Sequence, residues 1–111
     1  MRVSLAAGRP VFVYFTADWC LTCKVNERVL ADPRVARALE AAGYDVYRGD
    51  WTRRDAAIQQ ALAALGKAGV PAYAVYDPGA PDRARVLPEL LTADLLIAAL
   101  ERSPATADAN W

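Results

Sequence analysis

The change of pattern near the N-terminus constrains the fold more than any other feature of the sequence. Pro10–Ala17, PVFVYFTA, is a run of β-branched and aromatic residues, which is typical of a buried strand. The segment that follows, DWCLTCKVNERVL, places apolar side chains at the i, i+4 and i+8 spacing of a helix, at Leu21, Val25 and Val29. Both cysteines of the chain lie at this junction. The sequence therefore predicts a strand, a Cys-x-x-Cys motif and a helix in direct succession.

Further elements along the chain predict an α/β fold. They are, in order, a helix from Asp32 to Ala42, a strand from Tyr44 to Gly49, a helix opened by a capping box at Thr52–Asp55, strands at Ala72–Tyr76 and Arg83–Leu87, and a helix after Thr92. A βαβ unit followed by a ββα unit is typical of one central mixed β-sheet flanked by helices. At 111 residues the chain has the size of one domain, which we predict at residues 1–103, with residues 104–111 as a disordered tail.

Composition excludes several classes of function. Thirteen basic and thirteen acidic side chains cancel, so there is no electrostatic reason to expect nucleic acid or an anionic membrane surface as a partner. Histidine, the commonest metal ligand and general base, is absent, so catalysis would have to use cysteine or carboxylate groups. No segment approaches the ~20 apolar residues of a membrane span, and the N-terminal MRVSLAAGRP does not fit a signal peptide. The chain is therefore either cytosolic or a domain of a longer exported or membrane-anchored protein.

The cysteine pair, Cys20 and Cys23, has three interpretations. A zinc site would need two further ligands, and the chain has no other cysteine and no histidine, so no metal is predicted. A structural disulfide, or a pair of buried thiols without a role, is the second alternative, but so small a loop would stabilise the fold little. A redox pair fits best, because Cys20 lies where the N–H groups and dipole of a helix stabilise a thiolate. Cys23, one turn later, is placed to resolve a mixed disulfide.

A second motif, Val70-Pro71, directly precedes the predicted strand at Ala72–Tyr76. Proline is tolerated at the first residue of a strand, where it can simply break the connection from helix to strand. Alternatively, the Val70–Pro71 peptide bond is cis. The upstream Trp-Cys-x-x-Cys favours the cis interpretation.

These motifs resemble the thioredoxin superfamily, and more closely the C-terminal domain of DsbD-type thiol:disulfide interchange proteins. The resemblance rests on VFVYFTADWCLTCKVNERVL, DWTRRD, GVPAYAVY and VLPELLT, and it extends from about Gly8 to Leu100. It implies a thioredoxin-like fold and a protein-disulfide reductase whose redox centre is the Cys20–Cys23 pair, with no other cofactor. In that family the domain is periplasmic, belongs to a longer inner-membrane protein, takes electrons from a transmembrane carrier and passes them to other thioredoxin-like proteins. We expect the same of this chain, acting as a monomer.

The resemblance also implies roles for individual residues. Cys20 would be the exposed nucleophile and Cys23 the resolving thiol. Trp19 would flank the site, and Pro71 would be a cis-proline facing the cysteines. The backbone of Val70 would pair with an extended segment of the partner.

Three residues near the motif bear on proton transfer. Glu27 lies on the helix face of the cysteines and matches the DsbD-type pattern, so it would oppose thiol ionisation or shuttle a proton, unless it is merely solvated. Asp18 places a second negative charge near Cys20 or is likewise solvated. Tyr14 departs from the family, which usually carries a buried aspartate here; a phenol is neutral near pH 7 and a poor base. We therefore predict that Glu27 or water handles the Cys23 proton.

Two alternatives to a DsbD-type reductase stay open on the sequence. A generic thioredoxin, or a disulfide oxidase or isomerase, would use the same chemistry, although Leu21-Thr22 differs from the Gly-Pro dipeptide of ordinary thioredoxins. A non-catalytic binding module or metal chaperone would use the same fold. Of the other motif residues, we expect Trp51 to pack in the core, with contact to a partner by Trp51 and the TRRD segment as the alternative. We expect Glu89 to border the cis-proline loop.

Overall fold

The computed structural model describes residues 2–101, and the predicted tail at 104–111 lies outside them. Within this range the chain forms helices α1 (Arg2–Ala6), α2 (Leu21–Leu30), α3 (Pro33–Ala41), α4 (Ala56–Ala64) and α5 (Ala93–Glu101), and strands β1 (Val11–Thr16), β2 (Asp45–Asp50), β3 (Ala72–Asp77) and β4 (Ala80–Val86). Every predicted element is present, and α1 is a helix that was not predicted. No helix in this part of the chain combines the length and the apolar character that crossing a membrane requires.

The strands of residues 2–101 form one mixed sheet in the order β2-β1-β3-β4. β1 runs parallel to β2 and antiparallel to β3, and β3 runs antiparallel to β4. β1 is an interior strand whose VFVYFT sequence is buried on both faces, with only Tyr14 partly exposed. The predicted α/β class, with a central mixed sheet flanked by helices, is confirmed.

Helices cover both faces of the sheet, because alternate residues of each strand point to opposite faces. On one face, Phe12 and Tyr73 pack with apolar side chains of α3 and α5. On the other face, Val13 and Phe15 pack with Leu62 of α4. The sheet therefore has an apolar core on each side.

The helix boundaries follow from their N-caps, and one differs from the prediction. Asp32 caps α3 by accepting a backbone hydrogen bond, and Pro33 occupies the first helical position, as predicted. The predicted capping box at Thr52–Asp55 is wrong, because Asp55 itself is the N-cap of α4 and accepts hydrogen bonds from N–H groups of the first turn. Arg54 has a φ of 53°, which lies outside the region of right-handed helices, so α4 begins only after it.

Helix α2 forms as predicted, but only Val29 of its apolar stripe packs against the core. Leu21 and Val25 are 82% and 57% exposed. Cys23 and Asn26 are buried instead. The i, i+4 spacing therefore identified the helix correctly without showing which face packs inward.

Gly49 of β2 lies at the end of the sheet that carries the cysteines, and a substitution there tests the packing. It lies opposite Phe15, and a Cβ at this position would overlap the buried Phe15 ring. We expect Gly49→Ala to lower the free energy of unfolding by about 1–3 kcal/mol, because the ring or the strand must shift. Urea denaturation measures this change. Gly79→Ala is the control, because a Cβ at Gly79 meets no atom within 4 Å; equal losses in the two variants would contradict the packing argument.

Candidate active site

Cys20 and Cys23 lie at the start of α2, directly after β1. Cys20 is the N-cap of the helix: its backbone is extended, and its Sγ accepts a hydrogen bond from the Cys23 N–H at 3.2 Å. The helix begins here because a side chain at the cap satisfies an N–H group of the first turn that has no partner within the helix. The two sulfurs form a disulfide. The predicted succession of strand, CxxC motif and helix is confirmed.

The two cysteines differ in their access to solvent. Cys20 is 7% exposed and Cys23 is 1% exposed. The residues between them, Leu21 and Thr22, are exposed. An incoming disulfide therefore has better access to Cys20. This asymmetry suits a nucleophilic Cys20 and a resolving Cys23, which stay predictions.

The Val70–Pro71 peptide bond is cis, as predicted, and it lies beside the disulfide. Val70 packs against the cluster of Ala17, Cys20 and Cys23. Pro71 is buried and directly precedes β3, whose first residue pairs with β1. The backbone contact of Val70 with a partner stays a prediction.

The loop Trp51–Asp55, which follows β2, lies against the segment that precedes the disulfide. The Trp19 Nε1 donates to the Thr52 carbonyl oxygen at 3.0 Å, and the Asp18 N–H donates to the Thr52 Oγ1 at 2.9 Å. Thr52 in turn donates its N–H and its hydroxyl to the Asp50 carboxylate, and these bonds hold the pKa of Asp50 below its usual value. Trp19 is therefore held by hydrogen bonds on the flank of the site.

Two more side chains of this loop contact Trp19. Trp51 is buried, as predicted, and its ring centroid lies 5.9 Å from that of Trp19. The guanidinium carbon of Arg54 lies 4.5 Å from the centroid of Trp19 and 5.1 Å from that of Trp51. The loop thus supplies an aromatic and cationic wall beside the residue that precedes Cys20, where the sequence predicted a packed Trp51 and a helix cap.

The disulfide and the cis-proline lie within the part of the chain that matches a known protein family. A family model described as thioredoxin-like matches residues 1–78, which include the disulfide and the cis-proline. The chain belongs to the thioredoxin-like family. The family predicted from the motifs is confirmed.

Similar proteins within the thioredoxin-like family include DsbD proteins. The chain is 39% identical over 92 residues to thiol:disulfide interchange protein DsbD 1 of Pseudomonas aeruginosa, covering 80% of this chain and 15% of that protein. It is 33% identical over 111 residues to DsbD of Ralstonia nicotianae, covering 99% of this chain and 18% of that protein. The chain therefore spans less than a fifth of the length of these relatives.

Solved structures show the same likeness. The reduced C-terminal domain of Neisseria meningitidis DsbD matches with a TM-score of 0.72 and 25% identity, covering 90% of this chain and 86% of that one. A thioredoxin from Thermus thermophilus matches with a TM-score of 0.70 and 26% identity, covering 89% and 76%. Together with the Cys20–Cys23 disulfide, these similarities support thiol:disulfide oxidoreductase activity. Within residues 2–101, no group of three or more His, Cys, Asp and Glu side chains is placed to hold a metal ion.

A buried amide one helical turn after Cys23 was missed from the sequence. Asn26 is fully buried in α2, three residues after Cys23. Its Nδ2 donates to the Tyr73 hydroxyl at 2.9 Å and to the Glu89 carbonyl oxygen at 2.6 Å, and its Oδ1 accepts from the Leu91 N–H at 3.1 Å. These bonds tie α2 to β3 and to the segment after β4. The available signal was its i, i+3 spacing from Cys23, which places both residues on one helix face.

The segment after β4 also reaches the cis-proline loop. The Glu89 carboxylate lies 3.3 Å from the Nζ of Lys67, three residues before Val70. Because the Glu89 backbone contacts Asn26 as well, this segment borders the site on the side expected from the sequence.

The three predicted proton-transfer residues do not bond to the sulfurs. Glu27 is partly exposed, and its carboxylate lies 3.8 Å from the Lys24 Nζ. Burial raises the pKa of Tyr73, and the charge of Glu27 acts in the same direction, so Glu27 lies within electrostatic reach of the buried network. Asp18 is exposed, and Tyr14 lies partly buried opposite Tyr73 in the sheet. Across residues 2–101, no hydrogen bond joins these side chains to a cysteine, and their roles stay predictions.

The substitution Asn26→Asp tests the buried amide without changing its size. An ionised carboxylate at position 26 would be buried with an oxygen against the Glu89 carbonyl oxygen, so its pKa in the folded state would be raised above the unfolded value of about 3.9. The folded state would then hold a proton that the unfolded state releases, and stability would be lost as the pH rises above about 4. We expect the loss of unfolding free energy, relative to the unsubstituted protein, to grow by about 1–3 kcal/mol between pH 4 and pH 7.5.

Asn26→Ala is the matched control for this pH effect. It removes the same hydrogen bonds but adds no titrating group, so its destabilisation should be the same at both pH values. Denaturant unfolding at the two pH values measures both variants. Parallel pH profiles for the two would show that Asn26 does not sit in a buried, carbonyl-facing position.

Proposed function

We propose that the chain is a protein-disulfide reductase domain that relays electrons from a membrane-embedded carrier to thioredoxin-like partners in the periplasm. The observation that carries this proposal is the Cys20–Cys23 disulfide at the start of α2, beside cis-Pro71, in a chain similar to DsbD. The structural match to a DsbD C-terminal domain supports the same assignment. The carrier and the partners would lie in, or act with, the longer protein of which such a domain is part.

The transfer to a partner proceeds through a mixed disulfide. In the reduced domain, the Cys20 thiolate attacks one sulfur of the partner's disulfide; a Cys20–partner bond forms and the partner's other sulfur leaves as a thiolate that takes up a proton. The Cys23 thiolate then attacks the Cys20 sulfur, which re-forms the Cys20–Cys23 disulfide and releases the partner's second thiolate. The partner gains two electrons and two protons, and the domain's dithiol is oxidised. A donor dithiol reverses the sequence and reduces the domain again.

The surroundings of Cys20 support its role as the attacking sulfur. It caps α2, where helix N–H groups and the helix dipole favour a thiolate. Trp19 on one side and Val70 on the other flank it, and an extended partner segment would pair with the Val70 backbone beside cis-Pro71.

Proton transfer at Cys23 is assigned to Glu27, acting directly or through water. Glu27 lies one turn beyond Cys23 in α2. Its charge adds to the effect of burial in raising the pKa of the Tyr73 hydroxyl. It is also partly exposed, so it can exchange protons with solvent. Tyr14 occupies the position where the resemblance implies an aspartate, and it lies partly buried opposite Tyr73.

The substitution Cys23→Ser tests the exchange mechanism. It leaves Cys20 able to attack but removes the thiol that resolves the mixed disulfide, so adducts with thioredoxin-like proteins should accumulate in a periplasmic extract. Non-reducing electrophoresis, release with dithiothreitol and mass spectrometry identify them. Cys20→Ser is the control and should trap far less, because the buried Cys23 cannot start the attack. Equal trapping by both variants, or adducts spread over unrelated proteins, would count against the proposal.

Equilibration with a glutathione redox buffer tests the direction of transfer. A reductase domain should have a reduction potential below about −200 mV, in the range of thioredoxins and glutaredoxins, whereas a strong disulfide oxidant has a potential of about −120 mV. The fraction of the Cys20–Cys23 disulfide is read by alkylation and mass spectrometry. A potential near that of the oxidant would replace the reductase assignment with an oxidase, while leaving the exchange chemistry intact.

A further inference from the structure

Arg54 adopts a backbone conformation that arginine rarely takes. Its φ of 53° lies in the left-handed region, where residues with a Cβ are strained and glycine or asparagine is usual. Strain of this kind persists where the surrounding structure compensates for it, and it is concentrated at functional sites. At Arg54, the backbone N–H donates to the Trp51 carbonyl oxygen at 2.9 Å, and the guanidinium contacts the rings of Trp19 and Trp51.

The two tryptophan rings hold the Arg54 guanidinium in place without using its hydrogen-bond donors. Cation–π contact is an attraction between the guanidinium charge and the faces of the Trp19 and Trp51 rings, and it uses none of the N–H donors of the group. Trp51 is buried, so one of the two rings that contact Arg54 belongs to the core. Among residues 2–101, no hydrogen bond or ion pair is formed by the Arg54 side chain, which is exposed. The cation is thus held in place with its donors available to a ligand.

The ring of Trp19 connects this cation to the cysteine motif. Trp19, on which the guanidinium lies, is the residue directly before Cys20. Of the nearby carboxylates, Asp50 at the end of β2 accepts hydrogen bonds from Thr52, and Asp55 accepts those of the first turn of α4, and neither forms an ion pair with Arg54 among residues 2–101. A substrate approaching Cys20 along Trp19 therefore meets Arg54 as an available cation.

We propose that Arg54 is a specificity-determining residue, which binds a carboxylate of the disulfide substrate next to the disulfide that Cys20 attacks. A guanidinium matches a carboxylate in shape and charge, and one that is already fixed loses little freedom on binding it. The inference rests on exchange at Cys20 but not on any particular partner or on a membrane carrier. Asp18, which is exposed and precedes Trp19, repels the same carboxylates. The preference for anionic substrates then depends on the attraction by Arg54 relative to the repulsion by Asp18.

The experiment compares small disulfides that differ in charge. The reduced protein is oxidised at low ionic strength with glutathione disulfide, which carries carboxylates, with the neutral 2-hydroxyethyl disulfide, and with the cationic cystamine. Loss of thiols, measured by quenching and mass spectrometry, gives a second-order rate constant for each. The quantity of interest is the ratio of the rate with glutathione disulfide to the rate with the neutral disulfide.

Arg54→Asn removes the cation and keeps a residue that tolerates positive φ. We expect it to lower this ratio by about twofold to fivefold, as befits an exposed ion pair, and to raise the corresponding ratio for cystamine. Arg54→Lys keeps the charge but loses the planar guanidinium, so its ratio should fall between that of the unsubstituted protein and that of Arg54→Asn. Asp18→Asn should shift the ratio in the opposite direction. The effect of Arg54→Asn should shrink at high salt, because exposed charges are screened.

Arg53→Asn is the matched control, since it removes the same charge from the neighbouring residue, which contacts neither ring. Its effect on the ratio should be clearly smaller. Equal effects of Arg53→Asn and Arg54→Asn, or a uniform slowing of all three disulfides by Arg54→Asn, would overturn the proposal in favour of general charge or of a structural role. If the unsubstituted protein reacts with none of the disulfides, the exchange chemistry itself fails, and that outcome is distinct from a loss of selectivity.

Discussion

The central position of β1 in the sheet brings together the segments that make up the active site. Because β1 is antiparallel to β3, the end of β1 at Phe15 lies opposite the start of β3 at Ala72, and the cis-proline comes to the cysteines. Because β1 is parallel to β2, Thr16 lies opposite Asp50, and the loop that follows β2 comes to the same edge. The disulfide, the cis-proline and the aromatic and cationic wall therefore lie at one edge of the sheet because of the way its strands pair.

Polar contacts then fix these segments at that edge. Asn26 makes three hydrogen bonds from a fully buried position, which stabilise the packing of α2 against β3 and against the segment after β4. Thr52 has the same function on the other side, where it links the end of β2 to Asp18 and Trp19. Both are short, neutral side chains that satisfy backbone groups. The two cysteines, both buried, thus lie between two hydrogen-bonded supports, with Cys20 at 7% exposure and Cys23 at 1%.

The parts of this site that could be predicted from the sequence are those encoded by local patterns. A β-branched run, a cysteine pair at helical spacing and a proline before a strand are each visible within about ten residues, and together they indicate the fold. Asn26 and Arg54 could not be found in this way, because the role of each depends on residues far away in sequence: Tyr73 and Leu91 for one, and Trp19 for the other. The stripe of Leu21 and Val25 shows the same limit. Periodicity reports that a helix forms, but the strand pairing decides which face it buries.

The surroundings of Cys23 are largely uncharged, and this has a consequence for how its proton leaves. The sheet face near Tyr73 carries Tyr14 and the Asn26 amide, and the buried carboxylate of residues 2–101 is Asp77, at the far end of β3, where it is paired with Arg85. A neutral network of this kind can orient a proton but cannot accept one near pH 7. In the proposed mechanism, the proton acceptor for Cys23 would therefore approach from the partly exposed side of α2, where Glu27 lies. With Tyr14 where the resemblance implies a buried aspartate, the proposed proton pathway would run over the surface of the domain and not through its interior.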